Sequence, residues 1–125
     1  MINCIAKITV YVNNQEEAKE FWTEKMGFAV RNEYPMGPGM KWLEVAPADD
    51  NNTTFILYEK EMMKKQNPAA NTSHPSIILS TMDIDKSHET MKEKGIEVTS
   101  IRKMPYGSMF TFHDQDGNAY LIRED

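Results

Sequence analysis

The chain is short of cysteine, of positive charge and of long apolar runs, and each shortage removes a class of protein. Cys4 is the sole cysteine among 125 residues, so the chain cannot staple itself with a disulfide. A lone thiol fits a reducing compartment, and a cytoplasmic location is the expectation. Standing ahead of an apolar strand, Cys4 reads as structural rather than as a nucleophile. Lys and Arg number 14 against 19 Asp and Glu, a net charge of −5, with no basic stripe. A nucleic-acid partner is therefore not expected. The opening MINCIAKITV lacks the charged-then-apolar layout of a signal peptide. No segment approaches the roughly 20 apolar residues that a helix needs to cross a bilayer, so no membrane partner is expected either.

What is present is ordinary for a globular chain, at 40% hydrophobic and 26% charged residues. The exception is methionine, at ten residues. Met fills irregular cores and also lines adaptable pockets.

Read in order, Ile5 to Val12 alternates, with Ile8, Val10 and Val12 on one face and Lys7, Thr9 and Tyr11 on the other. That spacing predicts a strand with one face on a core and one that is wet or lines a cavity. Asn13 or Asn14 can cap a following helix, with Glu16 or Glu17 as reciprocal partner. Ala18, Phe21, Trp22 and Met26 give that helix a buried stripe, and Gly27 a left-handed stop. Strands are expected at Phe28–Tyr34, Lys41–Ala46 and Thr53–Glu59. The stretch from Pro35 to Gly39 breaks the first pair and a turn at 49–52 joins the second. Lys60 to Pro75 is a polar connector that carries one helical turn around Met62 and Met63.

The pattern then returns. Ser76–Ser80 reads as a strand, and Asp83 caps a helix with the stripe Ile84, Ser87, His88, Met91. Gly95 ends that helix, and strands follow at Glu97–Arg102, Ser108–His113 and Ala119–Arg123. The last two flank Asp114-Gln-Asp-Gly-Asn118, a polar turn whose Gly117 accepts the positive φ of a tight hairpin. Glu24-Lys-Met-Gly-Phe-Ala-Val30 and Lys92-Glu-Lys-Gly-Ile-Glu-Val98 match at an offset of 68 residues. The expectation is an α+β fold of two tandem βαβββ modules, residues 1–59 and 76–125, joined by the connector 60–75 into a single domain. Neither module has enough core to stand alone. Three strands in succession after each helix argue against a parallel three-layer fold.

Three fragments carry a family resemblance: Ile8-Thr-Val-Tyr-Val-Asn-Asn-Gln-Glu-Glu-Ala-Lys-Glu-Phe-Trp22, Met26-Gly-Phe28 and Phe112-His-Asp-Gln-Asp-Gly-Asn118. With the duplication, they resemble the vicinal oxygen chelate superfamily of glyoxalases, bleomycin resistance proteins and dioxygenases. The resemblance implies curved sheets forming a cup with helices outside, a ligand inside the cup, and a homodimer. In metal-using members the first and fourth strands of each half supply His, Glu or Gln ligands. Here those positions fall on Lys7, Ile56, Ser76 and Leu121. Lysine near neutral pH has no lone pair, and these four do not make a divalent-metal site. A shifted alignment brings in His74, which has the right parity, whereas Glu59 and Glu124 point the wrong way. The expectation is no metal and no cofactor.

The cup lining would then come from Lys7, Thr9, Tyr11, Trp42, Glu44, Ile56, Tyr58, Ser76, Ile78 and Leu121. Trp42 and Tyr58 could stack on a flat ligand while Lys7 and Glu44 orient it. Alternatively Lys7 and Glu44 simply pair and the aromatics fill space. His113 beside Asp114 invites a general base, but strand neighbours face opposite ways, so a hairpin-end histidine is the simpler reading. His88 is a boundary residue of its helix. Two functions stay open: a metal-free protein binding a small aromatic or cationic molecule, and a glyoxalase- or dioxygenase-like enzyme with an atypical metal ligand set. A scaffold with no ligand is the blander third.

Overall fold

A computed structural model describes residues 1–49 and 52–124, which fall into two compact units, Met1–His74 and Pro75–Asp125. The first unit runs β1 (Lys7–Val12), α1 (Gln15–Glu20), β2 (Phe28–Gly37), β3 (Met40–Pro47), β4 (Thr54–Glu59) and α2 (Lys60–Gln66). Its four-stranded sheet has the order β1-β4-β3-β2, with β1 parallel to β4 and the other pairs antiparallel. The second unit runs β5 (Ile78–Thr81), α3 (Ile84–Glu93), β6 (Glu97–Val98), β7 (Arg102–Met104), β8 (Gly107–His113) and β9 (Ala119–Glu124). Its sheet has the order β5-β9-β8-β6, and β7 also pairs with β8. Both sheets are mixed, as expected of an α+β fold with a βαβββ repeat.

In each unit a side chain caps the helix and a glycine ends it. Asn14 Oδ1 accepts from the Glu17 amide at 2.9 Å, and Asp83 Oδ1 from the Lys86 amide at 3.1 Å. Gly27 and Gly95 follow the helices at φ +73° and +77°, a conformation an L side chain rarely adopts. The first core lies between one sheet face and the helix. Val10, Val12, Leu43, Val45 and Leu57 pack there with Ala18, Phe21 and Trp22, all buried. Trp22 lies 5.3 Å from Phe55 and 4.8 Å from Phe28, ring centre to ring centre. In the second unit Phe110, Phe112, Tyr120 and Ile122 pack under Ile84, Met91 and Ile96.

Four details depart from the sequence reading, each with a local cause. The first helix does not stay α-helical: a π turn over Phe21–Lys25 follows α1, with the Met26 amide donating to the Phe21 carbonyl at 3.1 Å. The Thr23 hydroxyl donates to the Lys19 carbonyl at 2.7 Å, one of the local competitions that loosen a helix ladder. β2 runs past Pro35 to Gly37 because it is an edge strand, where a missing N–H costs no ladder bond. The connector holds a full helix over Lys60–Gln66 rather than one turn. The strand expected at Glu97–Arg102 splits into β6 and β7. At the split the Thr111 amide donates to the Thr99 hydroxyl at 2.9 Å, so a side chain takes a place that a ladder carbonyl would fill. The turn expected at 49–52 includes positions 50 and 51, which lie outside the described residues.

Candidate functional site

The face of the first sheet away from α1 gathers most of the residues singled out in the sequence. Register fixes this: Lys7 pairs with Thr54, Thr9 with Ile56, and Tyr11 with Tyr58 across β1 and β4. Glu44 pairs with Ile56 across β3 and β4, while Asn32 and Tyr34 pair with Glu44 and Trp42 across β2 and β3. Because side chains alternate, these residues share one face, opposite the core set.

Glu44 is the centre of that face. It is 2% exposed, and its two oxygens accept four hydrogen bonds. Lys7 Nζ donates to Oε1 at 2.7 Å, reaching over β4 from the edge strand, and Thr54 Oγ1 donates to the same oxygen at 2.7 Å. Trp42 Nε1 donates to Oε2 at 2.5 Å and Asn32 Nδ2 to Oε2 at 3.2 Å. Burial alone pushes the Glu44 carboxyl up. The hydrogen bonds from Lys7, Trp42 and Thr54, with the charge of Lys7, outweigh burial and hold it at about 2. The carboxylate is ionised at neutral pH and its acceptor capacity is filled.

Aromatic rings lie on the same face, to one side of the pair. Trp42 stacks on half-exposed Tyr34 with ring centres 6.3 Å apart and planes 17° from parallel. Tyr11 meets Tyr58 edge-on at 6.3 Å. The Tyr58 hydroxyl donates to Gln66 Oε1, and Gln66 Nε2 donates to the Met40 sulfur at 3.2 Å, so α2 is tied to this end of the sheet. A shallow surface depression opens there, lined by Met36, Met40, Met62 and Tyr58 with Gln15, Lys41 and neighbours. The sequence pointed to Tyr58 but not to these methionines. Their number was the one signal, and which of the ten would converge depends on the α2 helix.

The remaining predicted site residues lie in the second unit. Ile78 pairs with Leu121 across parallel β5 and β9, on one face of that sheet, and Ile78 is 61% exposed. Ser76 precedes β5 and is exposed. His74 lies outside any strand, and Glu124 turns to the helix side, where Oε1 accepts from the Ile84 amide at 3.0 Å. His113 stands 3.8 Å from Glu97, facing away from Asp114. His88 Nε2 donates to the Thr99 carbonyl at 2.8 Å, and the ring sits edge-on to Phe110.

Asp114 has a structural task. It is 7% exposed. Its Oδ1 accepts from the Asp116 and Asn118 amides, and its Oδ2 from Asn118 Nδ2 and, at 2.7 Å, from the Tyr120 hydroxyl. Burial and then the Asp114 charge push the Tyr120 hydroxyl well above the usual phenol range, so it stays a donor. The D-x-D-G-N segment is thus a self-bonded turn.

A divalent ion fits these residues poorly. Of the four positions implied by the resemblance, Lys7 is a cation already paired with Glu44, Ile56 and Leu121 are apolar, and Ser76 offers one neutral oxygen. Among the described residues, no three His, Cys, Asp or Glu side chains converge as metal ligands.

Comparison with known proteins places this geometry in a wider group. The chain is 40% identical to the uncharacterized protein YetH of Bacillus subtilis (strain 168), over 99% of this chain and 100% of that protein. It is 32% identical to the uncharacterized protein YurT of the same organism, over 94% and 96%. Among solved structures it resembles TnmS3, an antibiotic binding protein from Streptomyces sp. CB03234, with 28% identity, a TM-score of 0.81, and 98% and 96% of the two chains covered. A superfamily member from Sphaerobacter thermophilus DSM 20745 matches at 26% identity and a TM-score of 0.83, covering 99% and 98%. The family model described as Glyoxalase/Bleomycin resistance protein/Dioxygenase superfamily matches residues 4–121, and the chain belongs to that superfamily.

Proposed function

We propose that this chain is a metal-free small-molecule-binding protein of the glyoxalase/bleomycin resistance type, and that its ligand is a flat aromatic compound. The observation that carries the reading is the face around Glu44. The carboxylate there is balanced by the chain's own Lys7 rather than left open to ligate a metal ion, and Tyr11, Tyr34, Trp42 and Tyr58 offer ring surface beside it. Aromatic faces in a partly dry site bind flat molecules by stacking and by removing apolar area from water. Similarity to an antibiotic binding protein supports the same reading. We further propose that modules 1–59 and 76–125, with the connector 60–75, act as a single domain. A homodimer is also proposed, since β1 and β5 are both sheet edges that a second chain could cover.

Calorimetric titration of chelator-treated protein with planar polycyclic aromatics tests the function. Binding with one site per chain, weakened at least tenfold in Trp42→Ala, is the expected result. Binding or turnover that appears only with added zinc, nickel or iron(II) would replace this reading with the enzyme.

A further inference from the structure

Resting on that binding reading, we infer that the ligand carries an acceptor oxygen, a carbonyl or carboxylate on its aromatic ring, which Lys7 holds. The inference comes from which hydrogen-bonding groups remain unspent around Glu44. A carboxylate has about four acceptor positions, and Glu44 uses them on Lys7, Thr54, Trp42 and Asn32. A cationic ligand therefore meets no free carboxylate here, and could reach Glu44 only by exchanging one cation for another, with no gain in ion pairing. The donor side is different. An ammonium has three N–H bonds, and among the described residues Lys7 spends one, on Glu44. Its side chain is 44% exposed while that of Glu44 is 3% exposed, so the remaining donors lie on the open side of the pair. Thr9 lies two residues along the same strand and face and adds a hydroxyl. The aromatic rings accept a flat body, and the unspent donors accept an oxygen.

Three naphthalenes of one ring size test this by titration: 2-naphthoate, the neutral ketone 2-acetylnaphthalene, and protonated 2-(aminomethyl)naphthalene. The chain's net charge of −5 favours the ammonium compound at long range, so the opposite preference would come from the site itself. We expect the naphthoate and the ketone to bind at least tenfold more tightly than the ammonium compound. Lys7→Met with Glu44→Gln, a double change that leaves no lone buried charge, should bring the three within about twofold. Equal affinities in the unchanged protein, or tighter binding of the ammonium compound, would overturn the inference and leave the aromatic-binding reading standing. A preference that survives the double change would also overturn it, because Lys7 would not be the donor. Failure of all three compounds to bind would count against the binding reading as well.

Discussion

Glu44 and Lys7 are not equal partners, and their unequal burial gives unequal mutational costs. Removing Lys7 leaves a carboxylate that is almost wholly buried without its cation, and losses of this kind run to about 3–5 kcal/mol. Glu44→Gln leaves a half-exposed ammonium that water can solvate, and keeps an amide that can bond to Trp42 or Thr54. Its cost should be smaller, about 1–3 kcal/mol. Urea denaturation of the two variants should show Lys7→Met less stable than Glu44→Gln; the reverse order would mean that the carboxylate is not buried as described. The same carboxylate sets an acid limit. Its pKa is depressed from an ordinary 4.5 to about 2 on folding. A group depressed on folding contributes stability that is fully present above its unfolded pKa and is lost as pH falls through the folded one. By linkage that is about 3 kcal/mol, disappearing between roughly pH 5 and 2. Glu44→Gln should flatten this part of the stability profile, measured by denaturation at each pH. The sequence showed that Lys7 and Glu44 could pair. It could not show that Asn32 would join them, because that depends on the register of β2 past its irregularity between Val30 and Asn32.

At the scale of elements, the turn after β8 behaves as a small machine for ending a strand. Asp114 bonds two backbone amides, one side-chain amide and the buried Tyr120 hydroxyl, while Gly117 takes φ +80°. Tyr120→Phe removes one donor to a buried carboxylate and should cost about 1–3 kcal/mol, whereas Asp114→Ala orphans several donors at once and should cost more. Thermal or urea melts that rank them the other way would contradict the assignment. The hairpin, both helix caps and both helix-stopping glycines were legible from sequence because each rests on bonds a few residues apart. The length of α2, the π turn after α1 and the split between β6 and β7 were not. Each depends on a side chain competing for a backbone group or on neighbours distant in sequence: Thr23 on Lys19, Thr99 against Thr111, Gln66 against Met40 and Tyr58. The methionine-lined depression was hidden for the same reason.

For the whole molecule, the duplication and the short fragments sufficed to place the fold, and the family match over residues 4–121 agrees. They did not name a ligand, because this fold supports many chemistries and the side chains on the sheet face decide among them. Two groups of residues matter for that choice, the balanced pair at Lys7 and Glu44 and the rings to one side of it. Sedimentation at micromolar concentration should show a homodimer; a monomer would remove the proposed cover for the strand edges. The most direct test of the central claim is the melting temperature of chelator-treated protein with and without a planar aromatic carboxylate or ketone. The account predicts that chelation alone leaves the melting temperature unchanged. Ligand at a hundredfold excess over its dissociation constant should add about 2.7 kcal/mol of stability and raise the melting temperature by several degrees. A fall on chelation, or a ligand-induced rise seen only after a divalent ion is restored, would contradict it.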